Sequence, residues 1–120
     1  MNSIAPPQAS EVARLIVDVA SDKLASDIVM LDIRGISDFA DYFVVATVES
    51  PRQMNSLVED IEAAVKQGDG KLHHREGTAQ GGWMLLDFSD VVVHLFRPET
   101  RDYYRIEEAW PAAVETVRIQ

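Results

Sequence analysis

The chain has 120 residues, which is ample for one compact domain and short for an enzyme of two domains. It contains no cysteine, and this excludes disulfide frameworks, thiolate zinc sites, iron–sulfur clusters and thiol nucleophiles. Acidic residues outnumber basic ones by 20 to 11, which gives a formal net charge of −9. This charge disfavours nucleic acid and anionic membranes as direct partners, and it favours a basic protein or a cationic ligand.

The beginning of the chain does not resemble a targeting segment. Residues 1–8 have neither a positively charged start nor an apolar stretch. The longest apolar stretches, at 39–48 and 91–96, are too short to span a bilayer. The absence of cysteine fits a reducing compartment. These features predict a cytoplasmic protein without a membrane segment.

One helix and two strands are predicted in the first half of the chain, after an extended lead of residues 1–9. Apolar residues recur at helical spacing between 10 and 23, which predicts an amphipathic helix. The stretches 27–34 and 39–48 are rich in β-branched, aromatic and long apolar residues and predict two adjacent strands joined by a turn.

The next helix has the strongest local signals. Ser50 is suited to the N-cap and Pro51 to the first helical position, and Gln53 completes a capping box. Apolar residues then follow at helical spacing up to Gly68, a predicted stop: Met54, Leu57, Val58, Ile61 and Val65. A strand, this helix and further strands in succession predict a βαβ-type crossover.

The second half of the chain is predicted to add three strands. Residues 71–76 predict a short polar edge strand. Residues 83–88 and 91–96 predict a tight hairpin that turns at Ser89-Asp90. Both hairpin strands are apolar on both faces, as strands covered on two sides are.

A short helix at 100–110 and a tail at 111–120 complete the predicted order. We therefore expect one α/β domain over residues 10–110, with a mixed five-stranded sheet flanked by helices.

The acidic residues and histidines do not form a predicted catalytic or metal site. Metal-assisted nucleotidyl transfer requires carboxylates that converge on metal ions, and on a strand this occurs at positions i and i+2. The pairs Asp38/Asp41 and Asp87/Asp90 are three apart and flank turns, where Asp commonly bonds to nearby backbone. His73-His74 would point to opposite faces of a strand. We expect no enzyme activity, no metal and no cofactor.

Two further polar features have ordinary structural interpretations. His94 lies within V-V-V-H-L-F, where a single histidine is more often a hydrogen-bonded structural residue than a base. Arg97, Arg101 and Arg105 recur every four residues, but acidic neighbours favour a solvated, salt-bridged face over a nucleic-acid site.

Trp83 is the residue whose position is least expected in a protein that has only a structural role. It follows two glycines and opens a strand, where a large ring is often half covered. Alternation places Trp83, Leu85 and Asp87 on one face of that strand. An aromatic anchor beside a carboxylate is typical of protein interfaces. A core tryptophan packed near Trp110 fits the composition equally well.

Four motifs resemble those of a known family. Residues 38–44 (D-F-A-D-Y-F-V) are similar to its S/D-x-x-A-D-Y-F-V signature, and residues 50–53 (S-P-R-Q) to its S-x-R-Q helix start. Residues 82–96 (G-W-M-L-L-D-F-S-D-V-V-V-H-L-F) are similar to its G-x-W-x-x-L-D-Y-G-D-V-V-V-H-x-F core, and residues 101–110 to its closing R-x-x-Y-x-L-E-x-L-W. The chain thus resembles the ribosomal silencing factors (RsfS, or Iojap-like proteins).

The resemblance implies a binding protein with a fold related to nucleotidyltransferases. Such factors bind large-subunit ribosomal protein number fourteen, sterically block association of the small and large subunits, and so repress translation. Members are often homodimers. Two alternatives remain from the residues themselves: a nucleotidyltransferase-like enzyme, and a small dimeric scaffold for another protein.

Carried over by motif position, the resemblance implies a partner contact at Trp83, which we extend to Leu85 and Asp87 because they share its strand face. Three further motif positions imply fold support or contact: Tyr42, Arg52 and His94. The chain departs from the pattern at Val48 and Ser89, where the family usually has Gly, and at Phe88, where it has Tyr. The first two substitutions put the local turn geometry in doubt, because only Gly adopts positive φ without strain.

Overall fold

The computed structural model describes residues 8–104 and 112–120, and of residues 102–104 the backbone alone. In chain order the elements are α1 (Ala9–Asp22), β1 (Ser26–Asp32), β2 (Tyr42–Thr47), α2 (Pro51–Gln67), β3 (His74–Thr78), β4 (Trp83–Asp87), β5 (Val91–Phe96), α3 (Pro98–Tyr104) and β6 (Val114–Ile119). This order confirms the predicted α/β class. Within the described ranges, no helix is both long and apolar enough to cross a bilayer.

The strands form one mixed sheet in the order β3-β4-β5-β2-β1-β6. Neighbouring strands are antiparallel except for β2 and β5, which run parallel from Tyr42 beside Val91 to Thr47 beside Phe96. A parallel pair needs a crossover connection, and here the connection runs through α2 and β3–β4. The predicted crossover is therefore confirmed, with β2 and β5 at the centre of the sheet.

The prediction of five strands is wrong, because the sheet has six. Strand β6 lies within the segment that the sequence assigns to a tail, and it pairs antiparallel with β1 from Ile28 beside Ile119 to Asp32 beside Val114. The Thr116 hydroxyl donates a hydrogen bond of 3.2 Å to the carbonyl of Met30, 86 positions away in the chain. The strand has exposed polar residues and depends on a distant partner, so its local sequence signal is weak.

Helices α1 and α2 cover one face of the sheet, which we call the helix-covered face. The capping signals at the start of α2 operate nearly as predicted. The Ser50 hydroxyl accepts from the backbone N–H of Gln53 at 3.1 Å, and the side-chain oxygen Oε1 of Gln53 accepts from the backbone N–H of Glu49 at 2.8 Å. The two helices bury these residues: Ala13, Ile16, Val17, Ala20, Met54, Leu57, Val58, Ile61 and Val65. Together with alternate strand residues they form the larger core.

The opposite side of the sheet, the second face, carries a smaller apolar cluster formed by Val29, Leu31, Ile33, Ala40, Phe43 and Val92. Helix α3 packs beside β5. The Arg101 guanidinium donates to the carbonyl of Asp27 at 2.9 Å and to the hydroxyl of Thr47 at 2.8 Å, which fastens α3 to the sheet. The predicted helix at 100–110 is confirmed in its first part, and residues 105–110 lie outside the described residues.

Strand β4 differs from its prediction in one respect. Strand β5 is buried on both faces, as expected, whereas β4 alternates between half-buried and buried residues. Its buried residues Met84 and Leu86 face the helices. The half-buried residues Trp83, Leu85 and Asp87 lie on the second face, which is covered less completely at this end of the sheet.

Candidate functional site

A pocket of about 290 Å³ opens on the second face. We call it the second-face pocket, and it is lined by Phe39, Phe43, His74, Glu76, Leu85, Asp87, Val92 and His94. These residues come from strands β2 to β5 and from the loop that precedes β2. No single stretch of the chain contains the site, so the sheet order creates it.

The strand register explains why these side chains meet. In one row across the sheet, His94 lies beside Leu85, and Leu85 lies beside Glu76. In the next row of the same face, Phe43 lies beside Val92, and the row continues through Asp87 to His74. Residues opposite one another on paired strands project to the same face, so two adjacent rows form a continuous wall. The ring of Phe39 closes one side, with its centroid 6.0 Å from that of Phe43.

The structure brings three of the predicted site residues together. Leu85, Asp87 and His94 all line the pocket. Trp83 lies on the same face of β4, beside Phe96, and is half-buried. Trp110 lies outside the described residues, so packing between the two indoles is not tested. The predicted contact face of β4 thus has a pocket at its centre and a half-exposed indole at one end.

Gly77 leaves room for Trp83 because it has no side chain. Its φ of +81° is a left-handed conformation that favours glycine. A Cβ atom at this position would overlap the Trp83 carbonyl oxygen and approach the ring carbon Cε3 to 2.9 Å. The indole therefore rests against the bare backbone of β3.

Tyr42 and Arg52, by contrast, lie away from the pocket. Tyr42 is buried in the larger core, and the Arg34 guanidinium stands 5.3 Å over its ring. The same guanidinium donates two hydrogen bonds to the carboxylate of Asp32, of 3.0 and 2.8 Å, and these lower the pKa of Asp32. Arg52 is exposed in the first turn of α2, on the other side of the sheet. Tyr42 is thus in a position to support the fold.

The surroundings of His94 differ from those that the sequence predicts. Its side chain is 6 % exposed and packs edge-on against Phe43, with centroids 5.0 Å apart, and parallel to Phe96 at 6.2 Å. Within the described part of the chain, neither ring nitrogen has a hydrogen-bond partner, so the hydrogen bond expected of a structural histidine is not found there. Burial lowers the pKa of His94 to about 4, which makes the ring neutral at pH 7. A buried polar group without a partner typically costs about 1 to 3 kcal/mol.

The rim of the pocket is acidic. On β3, Nε2 of His74 lies 3.4 Å from Oε2 of Glu76, and both side chains are more than half exposed. One Asp87 oxygen, Oδ1, accepts from the backbone N–H of Ser89 at 2.7 Å, which confirms the turn role of this carboxylate. Arg75 points to the other side and pairs with Glu62 at 2.7 Å. The carboxylates of Glu76 and Asp87 thus flank an apolar depression, and this favours a positively charged partner.

Two departures from the family pattern are explained by the backbone. Ser89 has a φ of +78°, the conformation that glycine adopts more easily, so the serine retains the turn at a cost of about 1 to 2 kcal/mol. Val48 is fully buried and does not have positive φ, so it needs no glycine. Phe88 is also buried, in the larger core.

Sequence reasoning missed five pocket residues, which come from the loop before β2, from β2, from β3 and from β5: Phe39, Phe43, His74, Glu76 and Val92. Strand alternation could have assigned each of them to a face, but the order of the strands was needed to place them beside β4. Among residues 8–104 and 112–120, no group of three or more His, Asp or Glu side chains is arranged to hold a metal ion.

The geometry defines a small α/β protein with one mixed sheet, a helix-covered face and a second face with an acid-rimmed apolar pocket. The family model described as "Ribosomal silencing factor during starvation" matches residues 6–120. The chain belongs to this family.

Individual relatives agree with this assignment. The chain is 35% identical over 97 residues to the ribosomal silencing factor RsfS of Zymomonas mobilis, covering 81% of this chain and 73% of the relative. It is 32% identical over 97 residues to the chloroplastic protein Iojap of Arabidopsis thaliana, covering 81% of this chain and 40% of that longer protein. A crystal structure of a Chromobacterium violaceum protein is similar with a TM-score of 0.83 and 32% identity, covering 88% of each chain.

Proposed function

We propose that this protein is a ribosome-docking regulator that binds large-subunit ribosomal protein number fourteen through the second face of its sheet. The bound protein blocks association of the small and large subunits by occupying space, and translation is repressed. The observation that carries the proposal is the convergence of Trp83, Leu85 and Asp87 on a face that also contains an apolar pocket with carboxylates at its rim. Membership of the ribosomal silencing factor family supplies the ribosome as the target.

The physical features of this face suit a basic protein partner. An aromatic anchor and an apolar depression provide the desolvated centre that protein interfaces need. Carboxylates around such a centre meet Lys and Arg side chains of a ribosomal protein, while the net charge of −9 discourages contact with the surrounding RNA. The proposed mechanism requires no bond making, so we expect no catalytic activity and no cofactor.

The remaining expectations from the sequence belong to the same proposal. The free protein forms a homodimer, works in the cytoplasm, and has its docking domain in residues 10–110, extended by strand β6. A relation of its fold to the nucleotidyltransferases is part of the proposal as well.

The test is calorimetry of this protein with isolated ribosomal protein number fourteen. We expect Trp83→Ala to weaken binding by about 2 kcal/mol, roughly 30-fold, as for a typical interface anchor. The control is Asn55→Ala, an exposed position on α2 that should leave the affinity unchanged. Unchanged affinity of the Trp83 variant would refute the proposed docking face. We also expect the affinity of the wild type to fall as the salt concentration rises, because opposite charges meet at the interface.

Three further measurements distinguish the alternatives. Co-sedimentation with purified large subunits should succeed for the wild type and fail for the Trp83 variant. Transfer from a labelled nucleoside triphosphate in the presence of magnesium would instead support the enzyme. Capture of a different protein from a lysate depleted of ribosomes, without binding to the ribosomal protein, would support the scaffold.

A further inference from the structure

We propose that His94 is the polar recognition group of the second-face pocket, and that its imidazole accepts a hydrogen bond from a donor-bearing side chain of the partner. This inference rests on the proposed function and identifies the chemistry that the pocket selects. The partner side chain has an apolar body and an N–H or O–H donor at its tip.

The first argument is that the fold has no use for the ring nitrogens of His94. Within the described residues, both nitrogens lack a partner although the side chain is 6 % exposed. The ring contacts that stabilise it, with Phe43 and Phe96, are aromatic contacts that a phenylalanine would also make. Unsatisfied buried polar groups are rare in folded proteins, and they concentrate at functional sites. An imidazole here is therefore better explained by a ligand than by packing.

The second argument is the location of the ring. His94 lines the pocket, and Leu85 lies directly beside it in the sheet register. Apolar walls formed by Phe39, Phe43 and Val92 line the way in, and because both ring nitrogens are closed off from solvent in the free protein, the ring turns towards the pocket when a partner side chain enters. In either neutral tautomer one nitrogen accepts a hydrogen bond, so the ring can pair with a donor without changing its charge.

The third argument concerns the choice of a donor over an acceptor. Glu76 and Asp87 line the same pocket, and their negative charges repel acceptor groups and attract donors. The acidic balance of the whole chain acts in the same direction. A basic protein presents many side chains with apolar stems and N–H donors, and these fit the walls and the rim together.

The test compares His94→Phe with wild type in binding to isolated ribosomal protein number fourteen. Phenylalanine preserves the ring packing and removes the acceptor, so we expect the unfolding temperature of the free protein to stay the same or rise. The affinity should fall by about tenfold or more, because the partner donor is left unpaired. His73→Phe, an exposed position outside the pocket, should change neither quantity. A stability that rises while affinity falls is the result that a purely structural histidine would not give.

His94→Gln and an NMR measurement keep the inference testable if the phenylalanine variant folds poorly. Glutamine retains an acceptor and should recover part of the affinity. In the wild type, the ¹⁵N shifts of the His94 ring should change when the ribosomal protein is added. Unaltered shifts, or wild-type affinity of His94→Phe, would overturn the inference. If Trp83→Ala weakens binding while His94→Phe does not, the docking face survives and this inference alone fails; if the wild type does not bind, both fail.

Discussion

Acidification is expected to destabilise the free protein through His94 at pH values where most carboxylates are still ionised. The buried ring has a pKa of about 4, against an ordinary value of 6.5, and burial is the cause. Between these two values the unfolded chain binds a proton at this position and the folded protein does not. Each added proton therefore favours unfolding, and stability falls as the pH decreases from 6.5 towards 4.

The size of the effect follows from the two pKa values. Between pH 7 and pH 5, a shift from 6.5 to about 4 removes about 2 kcal/mol of folding free energy. Among the described residues, the other titratable groups that line the same pocket are His74, Glu76 and Asp87. The two carboxylates oppose the effect, since they favour a protonated ring. The Asp32 carboxylate has a lowered pKa, so its contribution to stability is lost only at still lower pH.

The assay is urea unfolding at pH 7, 6 and 5, with His94→Phe as the control. The stability of the wild type relative to this variant should decrease by about 2 kcal/mol over the interval, because the other histidines are common to both proteins. His73 and His74 are exposed, and their contribution cancels in the difference. Parallel pH profiles of the two proteins would show that His94 is not held neutral by burial, and would refute the reasoning.

Two other predictions concern the contact between Gly77 and Trp83 and the edge strand β6. Gly77→Ala should lower the free energy of unfolding by about 2 kcal/mol or more, because it combines positive φ with overlap at Trp83. Urea unfolding measures this change. The control is Gly68→Ala, which should be nearly neutral because the added Cβ meets only ordinary contacts at 3.7 Å and beyond. Removal of residues 112–120 should lower the unfolding temperature by about 10 °C, since about 2 kcal/mol comes from the partly buried Val117 and Ile119. Calorimetry of the shortened chain measures this, and an unchanged midpoint would contradict the structural role of β6.

Local signals were enough to predict several elements. Helix α2 was predicted from Ser50, Pro51 and the apolar spacing because a helix satisfies its hydrogen bonds within one segment. The hairpin of β4 and β5 was predicted for a similar reason, since its partners are adjacent in the chain. Alternation along β4 also placed Trp83, Leu85 and Asp87 on one face, and the structure confirms that placement.

The sequence by itself therefore determined the α/β class, the long helix, the parallel crossover and the face of β4 on which Trp83 lies. The tertiary structure decided the rest: that β6 joins β1, and that β3 lies beside β4 and β2 beside β5. The pairings of β6 with β1 and of β2 with β5 join residues far apart in the chain, so no local pattern specifies them. They bring Glu76, Phe43 and His94 to one pocket and leave the imidazole there without a partner in the described residues. Strand alternation assigns a residue to a face, and the sheet order determines which residues share that face.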